Sequence, residues 1–495
     1  MKQSVLSKKL FASRIKSDDV HFPEMLFGYL LGPLGGMLTY QVFAGFQSQY
    51  FSDVLNLNQR FLFLLPLLAI PLIILGNLTA GALIDHTHTP QGKGRPYILL
   101  SAPLIALTSI LMFAVPYIST TGQHIWTAAA FLLFNAVAYP LYYTSNSLML
   151  PLSTRNTDQR GLLATFVNVG VLGAASFASM IFPWLLSIKK NDGSMLFSAR
   201  EPWLWLILIL SAFSFFAILL QYFFTRERIT EKQAQTQEKT EKIPLKKQAK
   251  VVIHEKYWWM IMAFYLIFQF SGTMQNSYMN YYCNYVFGSY NDGSQSILAI
   301  ITGLPLALGM LVAWPLAKRF GKKNCTIVGL LLSAAGCLLA FLAPAGKSGQ
   351  ITIIVGLLLK SIGAIPANYV MMALLADVLD HMEAKNGFRC DGLSMSIYSI
   401  MVAIMPSLCM GVFYVLLQGT DYMAPVAGVA QVQSTATIGV FKWCYVGFMM
   451  VGYAVCAVLI ARLNVEKEIA NDQQLICQRE QNSLKNKTIR TGENK

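Results

Sequence analysis

Charged side chains are scarce in this sequence. Asp, Glu, Lys and Arg make up 13% of the 495 residues, whereas soluble domains carry about 25%. Apolar residues reach 55%, and the mean hydropathy is +0.49. The apolar residues also fall into long blocks, and about 20 in a row suffice to cross a bilayer as a helix. This balance excludes an ordinary soluble chain and predicts a helical membrane protein.

The patterns of common cofactor, metal and catalytic sites are also missing. The eight cysteines form no CxxC pair, so neither a zinc site nor a disulfide framework is indicated. The GKGRP stretch within 85–97 lacks the GxxxxGK[ST] pattern of a phosphate-binding loop. His86 and His88 in the same stretch are too few ligands for a metal ion. We therefore predict no enzymatic activity, no cofactor and no bound metal.

The apolar blocks predict twelve transmembrane helices and hence an all-α membrane protein. A polar stretch, 225–254, separates the sixth block from the seventh, which is typical of a transporter built from two six-helix halves. The predicted organisation is a first half at 1–224, a cytoplasmic linker at 225–254, a second half at 255–465 and a cytoplasmic tail at 466–495. The predicted spans are approximately 25–51, 59–84, 97–117, 124–150, 162–187, 202–224, 256–287, 295–317, 324–344, 350–378, 392–418 and 437–463.

The positive charges predict the orientation of the chain in the membrane. Of the 38 Lys and Arg residues, 31 fall in the termini and in the loops that share their side. Cytoplasmic segments are enriched in Lys and Arg, so we expect both termini in the cytoplasm and a location in a bacterial inner membrane. The net charge of +14 is then explained by topology and by attraction to anionic lipid, and no nucleic-acid partner is implied.

Polar residues inside the spans are the candidates for substrate contact. Lys360 lies about 15 Å into its span, near the membrane midplane, where ionisable side chains are usually functional. Amides and phenols recur at helical spacing on the first, fourth and seventh spans, and such groups suit hydroxyl-rich ligands. Bonds between helices are the alternative role for these amides. The predicted substrate-binding residues are Gln41, Asn135, Tyr143, Asn146, Gln275, Asn276, Tyr281 and Lys360.

Charged residues at the predicted inner ends of the spans are candidates for a gate. Opposite charges from the two halves could close the inner side by salt bridges that break when it opens. Solvated charges that only set topology are the alternative. The predicted gate residues are Asp85, Arg95, Arg160, Asp377, Asp380, Glu383 and Arg389.

Two of these loops also carry a family resemblance. Segments 81–97 (GALIDHTHTPQGKGRPY) and 376–399 (ADVLDHMEAKNGFRCDGLSMSIYS) resemble the two long motifs of the glycoside–pentoside–hexuronide:cation symporter family of the major facilitator superfamily. The melibiose permeases are its best-known members. The resemblance implies import of a sugar or glycoside by alternating access, driven by a co-transported cation. It also associates five residues with a cytoplasmic charge gate: Asp377, Asp380, Glu383, Arg389 and Arg160.

The sequence departs from this family where the cation is bound. The two acidic positions of the second span that bind the cation correspond here to Ile73 and Asn77. The acidic positions of the first and fourth spans that contact the sugar correspond to Met37 and Tyr143. Hard cations such as Na⁺ favour several oxygen ligands, with charge adding affinity. We therefore expect proton-coupled or uncoupled transport of a saccharide. The alternatives are an anionic or lipid-like cargo on the same fold, and a membrane sensor that transports nothing.

Overall fold

The computed structural model describes residues 13–228 and 245–463, apart from 18, 86, 88, 90, 155–156, 190–194, 289, 387–390 and 426–430. Twelve long helical segments and one short linker helix make up this part of the chain. The first half contains α1 (Glu24–Leu31, Gly32–Gln49 and Tyr50–Val54), α2 (Gln59–Asp85), α3 (Arg95–Phe113), α4 (Thr120–Leu132, Leu133–Ala138 and Tyr139–Ser153), α5 (Thr157–Ser176, Phe177–Ile181 and Phe182–Leu186) and α6 (Arg200–Phe223).

The short helix α7 (Leu245–His254) belongs to the predicted linker and precedes the second set of long helices. These are α8 (Lys256–Tyr282 and Cys283–Phe287), α9 (Ser294–Phe320), α10 (Lys322–Leu342), α11 (Gln350–Asn386), α12 (Asp391–Gln418) and α13 (Thr435–Lys442, Trp443–Gly447 and Phe448–Arg462). The predicted count of twelve long helices is therefore confirmed.

Nine of the described helices are long and apolar enough to cross a membrane by composition alone. Of the long helices, α1 and α8 fall short by this measure, and the apolar stretch Ser294–Leu306 is the part of α9 whose side chains are described without a gap. Helices α1 and α8 open the two halves and carry most of the amides and phenols singled out from the sequence. Polar groups at membrane depth are costly unless they face protein or a cavity, so these two helices are the natural walls of a polar path.

The chain divides into two compact units. The first combines residues 1–239 with 276–299 and 403–442. Within it, aromatic rings of α1, α3 and α6 form a core in which the Tyr50 ring lies 4.5 Å from the Phe113 ring and 5.4 Å from the Trp203 ring. The Tyr50 hydroxyl donates to the Phe113 carbonyl at 2.7 Å, so this buried phenol is satisfied.

The second unit combines residues 240–275, 300–402 and 443–495. Its tightest contact is between α10 and α11, where glycines face each other at two levels. A β-carbon on Gly336 would lie 2.5 Å from the Gly356 carbonyl oxygen, and one on Gly363 would lie 2.5 Å from the Gly329 carbonyl oxygen. Small residues let membrane helices approach to backbone contact, and this contact holds the middle of α11, including Lys360, against α10.

Candidate transport site

Three tyrosines form an aromatic stack between α1 and α4. The Tyr40 and Tyr139 rings are 3.9 Å apart and nearly parallel at 7°, and the Tyr143 ring follows Tyr139 at 5.7 Å. Tyr139 and Tyr143 are four residues apart, which places them on one face of α4. Aromatic faces of this kind cover the apolar side of a sugar ring.

One cavity of the first unit opens beside this stack. Tyr40, Gln47, Asn135, Ser277, Tyr278 and Ser407 line it, together with apolar side chains. The predicted residue Asn135 is therefore on a cavity wall, where its side-chain nitrogen donates to the Phe131 carbonyl of its own helix at 3.0 Å. Its side-chain oxygen remains an acceptor for a ligand hydroxyl.

A second cavity of the same unit brings together two other predicted residues, Gln41 of α1 and Asn276 of α8. Ser179 of α5 and Gln295 of α9 complete the polar part of its wall. Four polar groups converge on a mainly apolar cavity, which is the usual composition of a small-molecule site.

Asn146 lies away from both cavities. It is buried, and its side-chain oxygen accepts a hydrogen bond from Gln221 of α6 at 2.6 Å. The Tyr142 hydroxyl in turn donates to the Gln221 side-chain oxygen at 3.0 Å. In this conformation the amide of Asn146 joins α4 to α6.

Tyr281 lies in a polar cluster that we call the Asp53 cluster, comprising Ser52, Asp53, Tyr281, Tyr290 and Tyr422. The Asp53 carboxylate accepts hydrogen bonds from Ser52 at 2.6 Å, from Tyr422 at 2.6 Å and from Tyr290 at 3.3 Å. The hydroxyls of Ser52 and Tyr281 are 2.7 Å apart. The cluster joins the end of α1 to chain that follows α8 and α12.

Asp53 lies beyond the predicted span 25–51 and is only 7% exposed. Burial raises the pKa of its carboxyl from the ordinary 3.8 to about 6, although the three hydroxyl donors act to lower it. Desolvation therefore outweighs hydrogen bonding at this group.

Lys360 and Gln275 pair within the second unit. The Lys360 side chain is buried, and its ammonium donates to the Gln275 side-chain oxygen at 2.7 Å. Among the described residues, no carboxylate is paired with Lys360, and the Gln275 side-chain nitrogen is buried without a partner. Two of the eight predicted substrate residues thus form one polar group with unused hydrogen-bonding capacity.

Arg95 packs within the first unit. Its guanidinium is buried, donates to the Tyr222 carbonyl at 3.0 Å and lies over the Tyr222 ring. Just before it, the backbone N–H groups of Lys93, Gly94 and Arg95 donate to the Glu227 carboxylate at 2.8, 2.9 and 2.9 Å. The N-terminus of α3 therefore binds an anion, and this anion is the side-chain carboxylate of Glu227. We call these three backbone bonds the Glu227 cradle.

The other predicted gate residues are described to different extents. Asp377 is half-buried on α11, and Glu383 lies on the same helix. Asp85, Arg160 and Asp380 are helical in their backbone. Arg389 lies outside the described residues, as do His86 and His88. The gate formed by these residues stays a prediction.

Sequence reasoning missed Asp53 and Glu227. Asp53 lies just beyond the first predicted span and Glu227 lies in the predicted linker, and the partners of both are far away in the chain. A carboxylate directly after a span, in QYFSDV, was the available signal for Asp53. For Glu227 the signal was weaker, since TRERITEK resembles any charged linker.

Residues 28–467 match the family described as "MFS/sugar transport protein". A relative named "Isoprimeverose transporter", from Lactiplantibacillus pentosus, is 28% identical over 467 residues, which is 92% of this chain and 91% of the relative. The "Glucuronide carrier protein homolog" of Escherichia coli (strain K12) is 24% identical over 75% of this chain and 78% of its own length.

Among solved structures, a D-xylose-proton symporter is similar in fold, with a TM-score of 0.60 and 15% identity. The match covers 88% of this chain and 97% of that structure. At this identity the likeness supports the fold alone, and it agrees with the twelve long helices described above.

Proposed function

Since the chain belongs to the MFS/sugar transport protein family, we propose that it imports a sugar or glycoside by alternating access. The predicted family, the major facilitator fold and the assignment as a transporter rather than an enzyme are confirmed by this membership. Import, the coupling ion and the substrate residues are our proposal.

The cavity lined by Tyr40, Gln47 and Asn135 carries this proposal. It offers amide and hydroxyl groups beside a stack of aromatic rings, and saccharides present hydroxyls on their edges and C–H groups on their faces. Amides bond the hydroxyls, and rings cover the C–H faces. The relative from Lactiplantibacillus pentosus is named an isoprimeverose transporter, which supports a sugar or glycoside as the substrate.

The protein is an integral membrane protein, and we propose the bacterial inner membrane with both termini in the cytoplasm. The excess of Lys and Arg in the termini and in the loops on their side supports this orientation. The Glu227 cradle and the start of the linker then lie at the inner face. The Asp53 cluster lies at the outer face.

An acid-bearing sugar is the second candidate substrate. Within the described part of the chain, the buried Lys360 ammonium is paired only with the neutral Gln275 side chain, and a charge in a desolvated site is best matched by an opposite charge. A substrate carboxylate would supply it. The name of the Escherichia coli relative refers to a glucuronide, which supports including uronates in the test.

The proposal is tested with purified protein in liposomes and labelled isoprimeverose, xylose and glucuronate. We expect saturable uptake of at least one of them, stimulated by an inward proton gradient and not by a sodium gradient. Unlabelled sugars that compete then define the specificity. Uptake no faster than in protein-free liposomes for the whole panel would overturn the proposal.

The substrate path is tested separately with Asn135→Ala. We expect the apparent KM for the transported sugar to rise about tenfold, because the variant loses one or two hydrogen bonds to the sugar. Asn386→Ala is the matched control, because Asn386 makes the same bond to the carbonyl four residues earlier, at 2.9 Å, outside the predicted spans. Equal effects of the two variants would remove Asn135 from the path.

A further inference from the structure

Asp53 is a buried carboxylate whose hydrogen bonds hold three separate segments together. Its own segment ends α1, Tyr290 follows α8 and Tyr422 follows α12, and both tyrosine hydroxyls donate to Asp53. A second layer lies beside it, where Asn280 of α8 donates to the Gln49 side-chain oxygen at 3.1 Å. In the proposed orientation these contacts close the outer face.

We propose that Asp53 is the proton-binding site that couples this transporter to the proton gradient. The inference rests on the proposed transport function, and it adds the coupling residue. It places the proton outside the second span. The family resemblance implies acidic residues on that span, and this chain has Ile73 and Asn77 there.

The surroundings of Asp53 suit a proton better than a metal cation. All its hydrogen-bond partners are hydroxyls, which offer donors to a carboxylate and no second negative charge. In the described part of the chain no Lys, Arg or His pairs with it, and no group of three metal-binding side chains is found. The titratable groups that face it are Tyr281, Tyr285, Tyr290, Tyr414 and Tyr422.

The hydrogen bonds around Asp53 also accommodate its neutral form. One carboxylate oxygen accepts from both Ser52 and Tyr422. The other oxygen has the single, longer contact of 3.3 Å with Tyr290. A proton on that oxygen can be donated to the Tyr290 hydroxyl once this hydroxyl turns its own hydrogen away from Asp53, because its oxygen has a lone pair beyond the one that accepts from Gln49 at 3.4 Å. Every polar atom of a protonated Asp53 is thereby satisfied.

Closing the outer face therefore takes up a proton. When the face is open, Asp53 is in water with an ordinary pKa near 3.8, and when it is closed burial raises the pKa to about 6. The closed form then binds a proton about a hundredfold more tightly. By linkage, protonation of Asp53 stabilises the closed outer face. This stabilisation is complete below pH 3.8 and is lost as the pH rises above about 6. The proton leaves when the closed site equilibrates with a cytoplasm above pH 6.

A short polar route leads from Asp53 to the cavity beside the tyrosine stack. Ser52 is one turn along α1 from Ser48, and Tyr281 is one turn along α8 from Tyr278. Ser48 and Tyr278 both line that cavity. The Ser52 and Tyr281 hydroxyls are in contact, so the Asp53 cluster lies one helical turn from the wall of that cavity.

The test compares wild type with Asp53→Asn in two independent measurements. The first follows protonation of Asp53 without substrate, and the second follows sugar uptake. Infrared difference spectra of the purified protein between pH 4 and 8 report the carboxylic acid band without any substrate. We expect a midpoint near pH 6 in wild type that is absent in Asp53→Asn. In liposomes we expect Asp53→Asn to lose stimulation of sugar uptake by an inward proton gradient, yet to retain exchange of labelled for unlabelled sugar.

Asp421→Asn is the matched control, since Asp421 is exposed and next in sequence to Tyr422. It should behave like wild type. If Asp53→Asn folds poorly, Asp53→Glu keeps the carboxylate and should retain both signals. Identical infrared titrations of wild type and Asp53→Asn, or full proton stimulation in Asp53→Asn, would overturn the inference. Absence of uptake in wild type with the Asp53-dependent midpoint present would overturn only the proposed sugar function.

Discussion

The Lys360 ammonium meets the Gln275 side-chain oxygen at 2.7 Å, in a part of the second unit where the described residues provide no carboxylate for it. A buried ammonium without a counter-charge is expensive, and the Gln275 nitrogen beside it also lacks a partner. The pair therefore offers hydrogen-bond donors to a substrate, whereas bonding between helices alone would satisfy both groups.

Replacing Lys360 by Met tests whether the substrate carries an acid. If it does, the apparent KM for that substrate should rise about 10- to 100-fold, as expected for a lost hydrogen bond between charged groups. Neutral sugars should change by less than about threefold. Lys442→Met is the control, because Lys442 is the other lysine within a predicted span and lies near its end. Unchanged uptake of glucuronate with efficient competition by neutral sugars would contradict an acidic cargo.

The turn at Gly92 gives a prediction about stability. Gly92 has φ +105°, and a β-carbon there would overlap the Glu227 carboxylate held by the next three backbone N–H groups. Gly92→Ala should lower the free energy of unfolding by about 1–3 kcal/mol. Gly94→Ala is the control, with φ −86° and no contact to a β-carbon closer than 3.4 Å. Thermal unfolding in detergent measures both, and equal melting temperatures would show that the cradle is not rigid.

The helices and the family were predictable because their signals are local. Apolar blocks define spans wherever they occur, and the motifs at 81–97 and 376–399 are continuous in sequence. The partners of buried polar groups were not predictable in the same way. Asp53 meets tyrosines more than 230 residues away, and Glu227 meets a turn more than 130 residues earlier, so only the packed chain brings them together.

The predicted substrate residues illustrate the same limit. Gln41, Asn135 and Asn276 line cavities, whereas Asn146 and Tyr281 are bonded within the protein in this conformation. Amide and phenol side chains at helical spacing can either line a cavity or form hydrogen bonds to a neighbouring helix. Spacing identifies the face of a helix, but the neighbouring helix decides whether that face meets a cavity or a partner.

The pH dependence of uptake should follow the pKa of Asp53. Because closure of the outer face stabilises the protonated form, uptake should increase as the external pH falls through about 6, with the cytoplasmic side held at pH 7.5. Tyr422→Phe removes a hydrogen bond that lowers this pKa, so the midpoint should move to a higher pH. Initial rates between pH 4.5 and 8 measure the shift, and a midpoint that moves to lower pH contradicts the role of Tyr422 as a donor to Asp53.

The glycine contact between α10 and α11 gives the last prediction. Gly336 lies against the backbone of α11, where a β-carbon would be 2.6 Å from the Lys360 backbone nitrogen and 2.5 Å from the Gly356 carbonyl oxygen. Gly336→Leu should therefore push the two helices apart, which lowers stability by about 1–3 kcal/mol and displaces Lys360 from Gln275.

Transport of a substrate that depends on Lys360 should fall more than transport of a neutral sugar in Gly336→Leu, since only the former uses the displaced ammonium. Gly303→Leu is the matched control, because Gly303 is exposed on α9 and a β-carbon there meets no atom within 4 Å. Unfolding temperatures and uptake of both substrates separate the two effects. Wild-type behaviour of Gly336→Leu would mean that α10 does not position Lys360.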